Sequence, residues 1–92
     1  MFRLWAKEVK NNNIIRDIVI KDERVETRTH KVFDSIEKIC NRFDLSKPIW
    51  LNSTTEDFKK RAKCRFYKEN FIDEVEFDYL EIQVLEEDEF YP

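Results

Sequence analysis

Thr27-Arg28-Thr29-His30-Lys31-Val32-Phe33-Asp34-Ser35-Ile36-Glu37-Lys38-Ile39-Cys40-Asn41-Arg42-Phe43 is the stretch whose reading decides the fold. Val32, Phe33, Ile36, Ile39, Cys40 and Phe43 recur at the spacing of a helix, and at about 100° per residue they fall on one stripe. Thr29 lies within that stripe. Lys31, Asp34, Ser35, Glu37, Lys38, Asn41 and Arg42 take the flanks and the opposite arc, which gives the segment a dry face and a wet one. The spacing predicts an amphipathic helix from Thr27 to Phe43, with Phe33, Ile36 and Ile39 in the core.

The sequence upstream has a different period. Phe2, Leu4 and Ala6 alternate with Arg3, Trp5 and Lys7, which is the pattern of a half-buried strand. Ile14 to Lys21 is rich in β-branched residues and reads as a second strand. The joint between them, Asn11-Asn12-Asn13, tolerates left-handed backbone and predicts an antiparallel hairpin. Asp22 to Glu26 is charged apart from Val25 and reads as a surface connection to the helix.

Downstream, Asp44-Leu45-Ser46-Lys47 ends the helix, and Pro48 forbids any continuation, because it lacks an N–H and pushes Lys47 toward extended geometry. Ile49-Trp50-Leu51 reads as a short strand. Ser53-Thr54-Thr55-Glu56 has the form of a capping box and predicts a second helix ending between Ala62 and Phe66, with a short extended piece through Tyr67. Glu69 to Asp78 fits a turn or a short helix. Leu80, Ile82 and Val84 alternate with Glu81 and Gln83, so Tyr79 to Leu85 reads as a strand.

The resulting order, ββαβαβ, predicts an α+β two-layer sandwich. Its helices cover one face of a mostly antiparallel sheet of about four strands. Residues 1–85 form the expected single domain, and 86–92 an acidic tail.

Composition narrows the function by exclusion. The 92 residues contain no glycine. A phosphate-cradling P-loop, a Rossmann fingerprint, a nucleophile elbow and an EF-hand loop all need Gly where backbone takes positive φ or meets a ligand closely, so none can be present. No apolar run approaches the ~20 residues of a membrane span, and the Met1 end lacks a signal-peptide pattern, which predicts a cytoplasmic protein without membrane contact. Cys40 and Cys64 are then expected to be reduced. Lys63 and Arg65 flank Cys64 and would favour a thiolate, but no base partner accompanies it. His30, the only histidine, belongs to the first helical turn beside Asp34 and is expected to be half exposed and neutral. One histidine and two distant cysteines offer no metal spacing. The sequence nominates no catalytic, cofactor-binding or metal residue and points away from an enzyme.

Charge segregation is the remaining signal. Lys59, Lys60, Arg61, Lys63, Arg65 and Lys68 face no acid between Phe58 and Lys68, while ten acids and no base fill 69–92, Glu86, Glu87, Asp88 and Glu89 among them. Runs like these most simply keep a surface solvated. As a functional signal they favour a non-catalytic protein-interaction or regulatory module that engages an unidentified protein through an acidic surface or a sheet edge. A sheet edge would also serve homo-oligomerisation. The candidate partner surface comprises Lys59, Lys60, Arg61, Lys63, Arg65, Tyr67, Glu86, Glu87, Asp88 and Glu89. The alternative is nucleic-acid binding by Phe58–Lys68, with Phe66, Tyr67 or Trp50 as stacking surfaces. An overall pI near 5.2 and the acidic segment weigh against it.

Three stretches, Thr27 to Phe33, Phe43 to Leu51 and Phe77 to Val84, resemble a family of small uncharacterised proteins from clostridial-type bacteria, and the likeness extends over nearly the whole chain. It implies a small bacterial cytoplasmic protein and transfers no activity, ligand or site.

Overall fold

The hairpin forms where the asparagines require it. A computed structural model, which describes residues 1–87, pairs β1 (Phe2–Lys10) with β2 (Asn13–Asp22). Asn11 and Asn12 carry φ of 52° and 65° between them. Two consecutive left-handed residues make a type I′ turn, whose twist matches that of the strands, and asparagine replaces the usual glycine. Next comes α1 (Arg28–Phe43). Thr27 is its N-cap, with the hydroxyl accepting the His30 N–H at 3.3 Å, and left-handed Asp44 ends it.

The chain continues through α2 (Asn52–Arg61), β3 (Lys63–Tyr67), a 3₁₀ turn at Lys68–Asn70 and β4 (Tyr79–Glu86). The sheet is antiparallel throughout, in the order β2-β1-β4-β3. This is the expected α+β architecture. The register places Leu4 between Ile20 and Val84, Ala6 between Ile18 and Ile82, and Phe66 beside Leu80. Val32, Ile36, Ile39, Cys40 and Phe43 of α1 and Phe58 of α2 cover that side of the sheet and close one core. Each such side chain contributes about 1.5–3 kcal/mol on burial. No described helix is long and apolar enough to cross a membrane.

Lys31 and Ser35, expected on the wet arc of α1, are buried, and four further details differ from the sequence reading. Ile49-Trp50-Leu51 is extended but joins no strand, and the fourth strand is Lys63–Tyr67, so the element order is ββααββ. The physical reason is Asn70. Its C=O accepts the Ile49 N–H at 2.6 Å, its Nδ2 donates to the Ile49 C=O at 2.8 Å, and its Oδ1 accepts the Tyr67 N–H at 3.0 Å. One buried residue, through its backbone carbonyl and its side-chain amide, thereby satisfies the backbone of Ile49 without a ladder. Trp50 turns inward onto Phe58 and Phe66, at ring distances of 5.7 and 5.0 Å.

The second difference is at the start of α2. The helix begins at Asn52, with Leu51 as an uncapped N-cap, so the Ser53 box does not form, and Thr54 is buried where it accepts from Asn70 Nδ2 at 3.3 Å. Phe33 is the third, being 52% exposed because it sits on the edge of the stripe facing α2, above Trp50, and not over the sheet. The fourth concerns the expected boundary at residue 85: β4 runs through Glu86, and Glu87 is tied back to α1 by Arg28 at 2.6 Å. Asp88 and Glu89 lie outside the described residues.

Candidate functional site

The six bases of Phe58–Lys68 do not make one patch. Lys59, Lys60 and Arg61 occupy the last turn of α2, where the helix dipole favours cations. Left-handed Ala62, with φ of 54°, then turns the chain into β3, whose alternation sends Cys64 and Phe66 into the core and Lys63, Arg65 and Tyr67 to the open face. Arg61, Lys63, Arg65 and Tyr67 rim a hollow of about 240 Å³, and Asp57 and Glu81 share its wall. Lys59 stands apart, on a separate groove between α1 and α2.

The open face carries its own charge balance. The Glu81 carboxylate receives Arg65 Nε at 3.0 Å and Lys7 Nζ on its other oxygen. Burial pushes this carboxyl up, yet the hydrogen bonds from Lys7 and Arg65 outweigh it and hold the group below the usual range. Lys7 also lies 3.9 Å over the Trp5 ring and Arg65 4.4 Å over Tyr79. The Trp5 indole N–H donates to Asp17 at 2.8 Å. These cations are engaged within the fold.

The acidic candidates are engaged as well. Glu86 lies 3.2 Å from Arg3 Nε and 3.6 Å from the terminal ammonium, while Glu87 pairs with Arg28. Neither belongs to a free acidic surface.

The chemistry weighed for the cysteines and the histidine takes another form. Both thiols are free and buried. Burial, aided by the charges of Asp57 and Glu81, pushes Cys64 up to about 12, and burial pushes Cys40 up to about 11, so flanking Lys63 and Arg65 do not activate a thiolate. Strand alternation explains this, since the flanking bases point to the opposite face. His30 is exposed and its Nδ1 meets Glu26 at 2.8 Å, because Asp34 is taken by Arg24 at 2.8 Å. Among the described residues no group of His, Cys, Asp and Glu is placed to hold a metal ion.

One surface escaped the sequence reading, and another was named there only as a sheet edge, without its place in the fold. An apolar groove of about 410 Å³ runs between α1 and α2, with Val32, Phe33, Trp50 and Phe58 as its floor and Arg28 and Lys59 at its rim. Phe33 gave the signal without being recognised, since it sits at the margin of an otherwise dry stripe.

The other surface is the edge of β2, which among the described residues pairs only with β1. Which of its backbone groups are free follows from the ladder. The Val9 C=O accepts the Asp78 N–H at 2.8 Å on the β4 side, so odd residues of β1 face β4 and even ones face β2. Arg16, Ile18, Ile20 and Asp22 oppose those even residues and turn inward. Asp17, Val19 and Lys21 therefore direct their N–H and C=O groups outward. Ile14, Ile15 and Val19 are 52%, 51% and 39% exposed along the same strand.

No family model, curated protein or solved structure matches this chain.

Proposed function

We propose that this chain is a non-catalytic protein-interaction module that accepts an additional strand at the free edge of β2. The observation that carries this reading is the edge itself: ten residues long, with the backbone of Asp17, Val19 and Lys21 directed outward and Ile14, Ile15 and Val19 exposed. Sheet proteins ordinarily blunt their edges by keeping them short or charged, as β3 does with five residues bearing Lys63 and Arg65. β2 also bears charges, Arg16, Asp17, Lys21 and Asp22, and a register shift near Ile15, but it is twice as long and adds the exposed β-branched side chains that strand addition uses. Two buried thiols left free support a reducing, cytoplasmic setting.

Val19→Pro tests the reading, because it deletes an outward N–H that the β1–β2 ladder does not use. Proteins captured by the wild-type chain, itself included, should be lost with this variant while its thermal unfolding remains cooperative. Identical capture by both chains would overturn the proposal.

Against the nucleic-acid alternative stand the placement of Phe66 and Trp50 in or against the core and the pairing of Arg65 with Glu81. Mixed single- and double-stranded DNA and RNA should show no binding in titrations at roughly 0.15 M salt. Micromolar binding abolished by reversing Lys59, Lys60 and Arg61 to Glu would restore that alternative.

A further inference from the structure

We infer that the strand added at the β2 edge is β2 of a second copy of this chain, antiparallel about a two-fold axis through Val19. This rests on the edge reading above and adds the partner's identity and register. Antiparallel pairing must match outward residues with outward residues. The register shift between Glu8 and Val9 puts outward Ile14 out of phase with the residues that follow, so along the regular run Asp17, Val19 and Lys21 meet only one another, and the axis must fall at a residue from 17 to 21.

An axis at Asp17 sets two carboxylates face to face, and one at Lys21 sets two ammonium groups face to face. At Ile18 it places Asp17 against Val19 and Arg16 against Ile20. At Ile20 it places Lys21 against Val19 and Asp22 against Ile18. Only the axis at Val19 matches apolar with apolar and charge with opposite charge: Val19 meets Val19, Ile18 meets Ile20, Asp17 meets Lys21 and Arg16 meets Asp22, every pair of different residues occurring twice. Such self-complementarity is what an isologous interface requires.

The side chains permit it. Asp17 uses one oxygen on the Trp5 indole and has the other for Lys21 of its mate. Arg16 and Asp22 already hold partners in their own chain, Glu8 and Arg24, and are not left as unpaired charges at the seam. A strand pair buries less than the roughly 1,600 Å² of a standard interface, so the dimer is concentration dependent.

Sedimentation of the full chain from about 1 to 100 µM should show the mass rising from 11.4 kDa toward twice that value. Val19→Lys, which opposes two ammonium groups at the axis, should weaken association at least tenfold without altering the melt of the monomer. The register is read by crosslinking. Opposed residues in a hydrogen-bonded pair stand about 5.5 Å apart at Cα, within disulfide reach. Under oxidised glutathione Val19→Cys should form a covalent dimer, Asp17→Cys alone should not, and Asp17→Cys with Lys21→Cys in one chain should.

Crosslinking by Asp17→Cys but not by Val19→Cys would overturn the register. A monomer at 100 µM with no Val19→Cys crosslink would overturn the second copy. If Val19→Pro then still released a different protein bound by the wild type, the edge reading would survive without it, and if it released none, both would fall.

Discussion

Neighbouring residues of β3 live in different media. Phe66 is fully buried against Trp50, Leu80 and the helices, whereas Tyr67, the next residue, is 44% exposed and lies 5.8 Å from Tyr79 on the open face. The helix-covered side of the sheet is a dry jigsaw of Phe2, Leu4, Ala6, Cys64, Phe66, Leu80 and Ile82. The open side is a set of cations laid over aromatic rings and anchored on Glu81. The difference teaches that a run of bases in a strand is not a patch, because alternation and pairing distribute its charge before any partner can meet it.

The largest effect that bears on this contrast is expected from Phe66→Ala, which empties a site with no solvent access and should cost about 3–5 kcal/mol in urea unfolding. Tyr67→Ala should cost under about 1 kcal/mol, and equal losses would break the contrast between the faces. Within α1, Ile36→Ala should likewise cost about 2–5 kcal/mol, while half-exposed Phe33 should tolerate truncation far better.

An intermediate effect belongs to Glu8, which sits on the dry side yet is charged. Its carboxylate binds Arg16 through two hydrogen bonds of 2.7 and 2.9 Å, and Arg16 also donates to the Phe43 C=O at 2.9 Å, joining β2 to the end of α1. Arg16 is half exposed and can return to water. Glu8→Ala should therefore cost about 1–3 kcal/mol, short of the penalty for a stranded buried charge.

A smaller change is expected with pH. The Arg24 guanidinium holds the Asp22 carboxyl down to about 2, with an added hydrogen bond from the Arg24 backbone. A carboxyl depressed in the folded state stabilises it fully above the unfolded value, and that contribution disappears as pH falls from about 4 toward about 2. Melting temperatures followed from pH 5 to pH 2 should fall more steeply for the wild type than for Asp22→Asn; parallel curves would remove Asp22 from this role. The smallest expected signal is at the thiols, which should resist alkylation at pH 8 in the native protein and react only in urea.

Much of the fold was legible because it rests on local periodicity. The 3.6-residue stripe of 28–43, the alternation of β1 and β4, the asparagine turn and the end of the helix ahead of Pro48 each follow from residues close in sequence, and the lack of glycine excluded whole classes of site. What lies in space but not in order could not be read that way. Nothing local distinguishes Ile49-Trp50-Leu51 from Lys63–Tyr67 as the fourth strand, since the choice depends on Asn70 reaching back across 21 residues to Ile49. Strand order decides which strand is an edge, so the exposure of β2 was undetermined until β4 had paired with β1. The ion pairs of Arg28 with Glu87 and of Glu81 with Lys7 and Arg65 likewise form between elements brought together only by folding. Periodicity records which face of a segment is dry; the tertiary structure alone decides what meets that face and which backbone edge is left over.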